Sequence, residues 1–114
     1  MATHTQTWVK VNTEVDVNLA EAIAALNRVD GLQTLQSCQG EPGEREGYIY
    51  FSLGEWQTLC RFVFEEVAPH LKNLLGEDVR LEVIAGDGKP FAKMSFSAEA
   101  IQQVTAALKE VAKV

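Results

Sequence analysis

The chain has 114 residues, of which 46% are hydrophobic and 23% are charged, a composition typical of one folded domain over 1–114 rather than of a disordered chain. The 16 acidic and 10 basic residues give a net charge of −6, and the basic residues are scattered singly along the sequence. Affinity for duplex DNA needs clustered lysines and arginines. The charge pattern therefore argues against duplex DNA as a partner.

Targeting and redox signals point to the cytoplasm. Residues 1–8 lack the basic start and apolar stretch of a signal peptide, and no apolar run approaches the roughly 20 residues that cross a bilayer. Cys38 and Cys60 have neither CxxC nor metal-ligand spacing, and a disulfide between them is not favoured. The sequence therefore predicts a cytoplasmic protein without a membrane partner, a metal or another cofactor.

The first predicted element is a strand over 9–17, because valines alternate there with polar residues. Asn18 and Glu21 have the spacing of a capping box, and they open a helix whose apolar stripe ends at Gly31. A shorter second strand is predicted over 32–37.

A loop follows over 38–47, since three glycines and a proline cannot continue a strand. The third strand is predicted over 48–51. Ser52 and Glu55 form a second capping-box pattern at the start of the next helix, which Pro69 is expected to break or kink. The predicted apolar stripe of this helix consists of Trp56, Leu59, Cys60, Val63 and Val67.

The last two strands, over 79–84 and 91–96, are predicted to form a hairpin. One register opposes apolar to apolar residues and acidic to basic ones. Its pairs are Ile84–Phe91, Val83–Ala92, Glu82–Lys93 and Leu81–Met94. Ser97 is expected to cap the final helix.

The predicted order is therefore β-α-β-β-α-β-β-α, an α+β fold with a mainly antiparallel sheet and helices on one of its faces. The segments 49–52 and 94–97 have similar sequences, and each precedes a helix. This similarity reflects either an internal repeat or only the common succession of a strand and a capped helix.

Aromatic side chains are expected on the sheet face that lacks helices, and Phe62 lies off the apolar stripe of its helix. Aromatic residues concentrate at the cores of interfaces, and the acidic charge disfavours RNA, so self-association is the favoured interpretation. The predicted interface residues are Trp8, Tyr48, Tyr50, Phe62 and Phe91. The alternatives are that another partner, a protein or single-stranded RNA, lies on this face, or that a loop or a terminus covers one of these rings.

The segment 34–40 leads from a strand into a glycine-rich loop. Backbone N–H groups near glycines can converge on an anionic group, and hydroxyl groups can add donors. The predicted ligand-binding residues are Thr34, Ser37, Cys38, Gly40 and Arg45. Three glutamates in the same loop support the alternative, a solvated acidic turn beside a packed thiol.

Cys38 is also a candidate nucleophile, but it would need a base or a positive charge nearby. His4 and His70 have no sequence relation to it, and a zinc site would need both histidines and both cysteines to converge without a motif. The loop glutamates disfavour a thiolate, so slow alkylation of Cys38 is expected.

The segment 25–40 resembles the helix, strand and loop of the wybutosine-synthesis methyltransferase family, in which a helix ending in Leu-Asn leads to a strand and a Ser-Ser-Cys-Ser-Gly-Arg loop. It is also similar to small uncharacterised phage and bacterial proteins with a Thr-x-x-Ser-Cys-x-Gly loop. The matching residues are Asn27, Thr34, Ser37, Cys38 and Gly40. Gln36 and Glu41 depart from the methyltransferase pattern. The resemblance implies that the loop 37–40 lines a site for a small, nucleotide-like ligand.

These features together predict a non-enzymatic, homo-oligomeric binding module for a small, nucleotide-derived ligand. Two other classes remain open: a small enzyme that uses Cys38 or S-adenosylmethionine, and a purely structural or protein-interaction subunit.

Overall fold

The computed structural model describes 19–86 and 88–113 in full, and only the backbone of 6–8 and 14–16. Six strands lie in these ranges: β1 Gln6–Trp8, β2 Glu14–Asp16, β3 Leu32–Cys38, β4 Gly47–Leu53, β5 Val79–Ile84 and β6 Phe91–Phe96. The α-helices there are α1 Ala20–Leu26, α2 Trp56–Arg61 and α3 Ile101–Val111. A π-helical segment at Phe62–Val67 and short 3₁₀ turns at Ala68–Leu71 and Ala98–Ala100 complete the helical structure described.

The N-terminal part of the predicted order needs correction. β1 pairs antiparallel with β2 and places Trp8 opposite Glu14, so the chain reverses between them. The two strands form a separate small sheet. Most of the predicted strand, as well as Asn18 of the predicted capping box, lies outside the described residues. The predicted order of helices and strands therefore holds from α1 onward.

The main sheet has the strand order β3-β4-β6-β5, and every neighbouring pair is antiparallel, which confirms the predicted α+β class with an antiparallel sheet. The predicted register of the β5–β6 hairpin is also confirmed, with Ile84 opposite Phe91. At the centre, β4 pairs with β6 and opposes Ile49 to Met94. From β3 onward the described chain therefore consists of two ββα units whose second strands lie side by side.

The helices pack against one face of this sheet. Because side chains alternate along a strand, every second residue of β4 and β6 points toward the helices. The largest buried side chains of the core are Leu19, Ile23, Leu26, Ile49, Phe51, Leu59, Leu71, Met94, Phe96 and Leu108. At the surface, an ion pair between Glu21 and Lys109 links α1 to α3, and the hydrogen bond from Lys109 lowers the pKa of Glu21.

The helical segment after β4 changes its winding twice. It is α-helical over Trp56–Arg61, π-helical over Phe62–Val67 and 3₁₀ over Ala68–Leu71, which contains Pro69. Of the predicted apolar stripe, Leu59, Val63 and Val67 are buried, which confirms these positions, and Cys60 is partly exposed. Trp56 is 45% exposed, so its predicted place on the stripe is wrong.

Phe62 and Trp56 each lie on the side of the helical segment opposite to the one that the sequence predicts for them. Phe62 is only 3% exposed and packs edge-to-face on Phe51, with ring centroids 5.9 Å apart. Its predicted interface role is corrected, because the core holds the ring. Phe64, in contrast, is 50% exposed, and Trp56 at the start of α2 is 45% exposed.

The predicted caps of the later helices are wrong. Ser52 remains within β4 and is buried, and Glu55 precedes α2 without a side-chain hydrogen bond to the helix. Ser97 precedes the 3₁₀ turn before α3, but its Oγ donates to Asp78 Oδ1 at 3.3 Å. Its backbone N–H also donates to the Asp78 carbonyl at 2.8 Å. Ser97 therefore joins the two ends of the β5–β6 hairpin.

Phe62→Ala and Phe64→Ala are expected to differ sharply in stability, although the residues are only two positions apart. Loss of the buried ring should cost about 3–5 kcal/mol through lost burial and the cavity that remains. Loss of the exposed ring should cost about 1 kcal/mol or less. Urea unfolding of both variants and the wild type measures this difference. An equal loss of unfolding free energy in the two variants would contradict the burial of Phe62 and the exposure of Phe64.

Candidate functional site

The predicted ligand residues of β3 lie on different faces of the sheet. Thr34 and Ser37 are opposite Phe51 and Ile49, on the helix side, and both are partly buried. Cys38 lies opposite Tyr48 on the other face. A bulge between Thr34 and Gln36 brings Thr34 and Ser37 onto the same face, and Cys38 points to the other face because it follows Ser37 directly. The two hydroxyl groups and the thiol therefore do not converge on one point.

Two of the residues that carry the family resemblance contact each other. Asn27, after α1, donates from Nδ2 to the Ile23 carbonyl at 3.0 Å and reaches Thr34 Oγ1 at 3.5 Å. These contacts tie the end of α1 to the beginning of β3. Asn27 and Thr34 thus hold the helix and the strand together.

The loop between β3 and β4 contains a tight turn whose polar groups bond to each other. The Glu44 N–H donates to the Glu41 carbonyl at 2.9 Å across Pro42 and Gly43, and Gly43 has the positive φ of 75° that a type II turn requires. Glu41 and Arg45 exchange backbone hydrogen bonds of 2.9 and 3.0 Å, and their side chains form an ion pair at 3.1 Å. The N–H groups of Glu41, Glu44 and Arg45 are therefore used within the loop.

Gly40 is required by the close approach of two backbone segments. Its φ is +77°, and a Cβ atom there would lie 2.6 Å from the carbonyl carbon of Glu46 and from the nitrogen of Gly47. Glycine at this position is thus explained by backbone packing, without a ligand.

A shallow cavity of about 220 Å³ lies between this loop and the turn before α3. It is lined by Glu41, Gly43, Glu44, Arg45, Glu46, Ser97, Ala98 and Glu99. Four of these residues carry a carboxylate and one carries a guanidinium, so the cavity favours a cation or a neutral group over a phosphate.

Three predicted interface residues come together on the sheet face opposite the helices. Tyr48 and Tyr50 meet edge-to-face with centroids 5.2 Å apart, and Phe91 stacks on Tyr50 at 5.7 Å with an angle of 12° between the rings. Lys93 Nζ lies 5.7 Å from the Tyr50 ring centroid. All four side chains are partly buried. The side chain of Trp8 lies outside the described residues.

Charged side chains pair along the same face. Arg80 of β5 donates to Glu46, and this hydrogen bond raises the pKa of Arg80. Glu82 is opposite Lys93 in the sheet register. The face therefore combines an aromatic cluster with charges of both signs.

A second apolar surface, not predicted from the sequence, runs along the outer side of β5. Trp56, Cys60 and Phe64 are spaced four residues apart, and Trp56 and Phe64 are exposed beside cavities of about 440 and 390 Å³. Leu75, which is 39% exposed, and Leu81 line the second cavity. We call this surface the edge groove and define it by Trp56, Cys60, Phe64, Leu75, Leu81 and Val83.

The backbone of β5 is open on the side of the edge groove. The Val79 N–H donates to the Leu74 carbonyl and the Val79 carbonyl accepts from the Gly76 N–H, both at 2.9 Å, so the polar groups of Val79 point away from β6. Because these directions alternate along an antiparallel strand, Leu81 and Val83 point outward as well. Among the described strands, none pairs with that side of β5.

Neither cysteine forms a disulfide, and the two differ in exposure: Cys38 is 7% exposed, whereas Cys60 on α2 is partly exposed. Within the described part of the chain, no three His, Cys, Asp or Glu side chains cluster as metal ligands would. None of the helices described there is long and apolar enough to cross a membrane.

Comparisons of the chain with models of protein families, with curated proteins and with solved structures gave no match. The resemblance of 25–40 to the wybutosine-synthesis family therefore stays a prediction.

Gly40→Ala is expected to destabilise the fold by about 1–3 kcal/mol more than Gly43→Ala, because the added methyl group overpacks the loop backbone only at Gly40. Both glycines have a positive φ near 75°, and a Cβ on Gly43 meets nothing within 4 Å. Gly43→Ala is thus a matched control that measures the destabilisation caused by a positive φ without a steric clash. Denaturant unfolding gives the comparison, and equal losses would contradict the close approach at Gly40.

Iodoacetamide is expected to modify Cys60 well before Cys38 in the folded protein, since reaction needs access to the sulfur. In denaturant both thiols should react at similar rates. Peptide mass spectrometry over time separates the two sites. Faster modification of Cys38 in the folded state would contradict the burial of this thiol and would revive its role as a nucleophile.

Proposed function

We propose that this chain is a polypeptide-binding module that receives an extended segment on the outer edge of β5. The proposal is carried by one observation: the outer side of β5, where the backbone groups of Leu81 and Val83 point outward, borders a cavity that Leu81 lines together with the exposed Phe64 and Leu75. Addition of a strand to an open sheet edge is a common way in which domains recognise polypeptides.

Backbone hydrogen bonds would supply the first part of the binding energy. Leu81 and Val83 each offer one N–H and one C=O, and each hydrogen bond to a partner strand contributes about 0.5–1.5 kcal/mol. The groups of Val79 already bond to Leu74 and Gly76. An added strand therefore pairs with the half of β5 that begins at Leu81.

Apolar side chains would supply the second part. A strand presents every second side chain to the same face, so alternate residues of the added segment enter the groove between α2 and β5. Phe64 and Leu75 would be covered there. Full burial of such a side chain contributes about 1.5–3 kcal/mol, and half of that is available for side chains that are already partly covered.

Charges of both signs lie around the edge groove. Arg61 and Glu65 line it on the helix side, and Glu82 lies on the strand. The net charge of −6 is therefore not concentrated at this surface. Specificity would come from the alternation of apolar residues more than from net charge.

A small ligand at the loop 37–40 stays a prediction, as do catalysis by Cys38 and the use of S-adenosylmethionine. The edge groove has the stronger support because its backbone groups point outward, whereas three N–H groups of the loop bond within the turn. The partly buried Tyr48, Tyr50 and Phe91 stay a predicted interface on the open sheet face.

Selection of short random peptides displayed on phage against the full chain tests the proposal. Enriched peptides should carry β-branched or aliphatic residues at alternate positions. Val83→Pro removes an outward N–H at a position where an edge strand tolerates proline, and it should weaken binding about tenfold. Val83→Thr keeps the N–H and the branched side chain, and it should bind within a few fold of the wild type.

Phe64→Asp tests the contribution of the apolar side chains to binding in the same assay, and it should also weaken binding. Gln103→Asp, at an exposed position of α3, adds the same charge away from the groove and is its control. Enriched peptides that bind Val83→Pro and Phe64→Asp as tightly as the wild type would show that another surface holds them. A selection without enrichment would also count against the proposal.

A further inference from the structure

We infer that the segment received by the edge groove is β5 of a second copy of this chain, paired antiparallel about a two-fold axis. The inference rests on the proposed function and names its partner. Two copies joined in this way form one continuous sheet of eight strands, with the α2 helices side by side on the same face.

The composition of the edge groove favours a second copy over a lone peptide. The groove presents an open strand edge and, beside it, an exposed apolar helix stripe that includes Trp56 and Phe64. A single extended peptide would pair with the strand but would leave the ring of Trp56 largely exposed. A second copy offers a strand and a helix stripe in the same relative position. A two-fold rotation brings strand to strand and stripe to stripe.

The register of the two β5 strands follows from steric and charge constraints. A pairing centred on Leu81 would bring Val83 of the second copy against Val79, where Leu74 and Gly76 already bond. A pairing centred on Glu82 would oppose the two Glu82 carboxylates, which is unfavourable.

A pairing centred on Val83 avoids both conflicts. It opposes Val83 to its copy and Leu81 to Ala85 of the second copy, and it places Glu82 opposite Ile84. All three outward-pointing positions over 81–85 then form hydrogen bonds. This register is therefore the one we assign.

The same axis passes close to Cys60, near the end of α2. Trp56 and Phe64 line cavities with the two ends of the segment 81–85. Cys60 lies midway between them on the helix and is therefore level with Val83. The two Cys60 thiols would face each other across the axis, and each Trp56 ring would pack near Phe64 of the second copy.

The net charge of −6 on each copy predicts how salt affects the dimer. Two acidic molecules repel each other, and this repulsion is screened as ionic strength rises. Because the edge groove itself carries both signs, few attractive ion pairs are lost at the same time. Added salt should therefore strengthen the association.

Sedimentation and cross-linking of the full chain test the inference. The wild type should sediment as a dimer, and the dimer fraction should be larger at high salt. Val83→Pro and Phe64→Asp should each raise the dissociation constant of the dimer at least tenfold. Gln103→Asp is the matched control for the added charge and should remain dimeric, and Val83→Thr, which keeps the N–H, should raise the dissociation constant less than Val83→Pro does. A short bis-maleimide should link the wild type and Cys38→Ser into covalent dimers, and it should fail with Cys60→Ser.

A control excludes links formed by random collision: Cys60→Ser combined with Gln102→Cys, on the exposed side of α3, should give no covalent dimer. A monomeric wild type whose selected peptides still depend on Val83 would overturn the inference and leave the proposed function standing. A dimer lost in Tyr50→Asp but kept in Val83→Pro would move the interface to the open sheet face and overturn the inference as well. A monomer that enriches no peptides would overturn both.

Discussion

The pairing of β4 with β6 is the interaction on which the rest of the main sheet depends. It joins two ββα units by opposing Ile49 to Met94 at the centre of the core. Once these second strands are central, β3 and β5 must lie at the two ends of the sheet. That none of the described strands pairs with the outer side of β5 is thus a consequence of how the units meet, and no local property of β5 requires it.

The chain that connects the two units explains why this edge lies beside apolar side chains. It must cover the sheet after β4 and then reach β5, and it does so through three kinds of helical winding between Trp56 and Leu71. Phe62 lies three residues after the buried Leu59 and faces the core, whereas Phe64 stays outside. Trp56, Cys60 and Phe64 follow one another at intervals of four residues and therefore share the outer side of the helical segment.

The parts of the structure that were predictable are those that depend on neighbours in the sequence. The hairpin register follows from apolar and charged pairs that a short turn brings together, and the cluster of Tyr48, Tyr50 and Phe91 follows from alternation along the strands. The cap predicted for α2 failed because Ser52 stays in β4, where burial outweighs its capping preference. The edge groove depends on strand order, which no local pattern specifies.

The loop 37–40 shows how a shared motif can reflect folding rather than binding. Asn27 and Thr34 tie α1 to β3, and Gly40 lets the loop pass against the backbone before β4. A variant of Gly40 that loses binding would therefore report first on the fold. Cys38 differs, because a buried thiol is replaced by serine or alanine with little change in volume. A loss of activity in such a variant, at unchanged stability, would be direct evidence for chemistry at the loop.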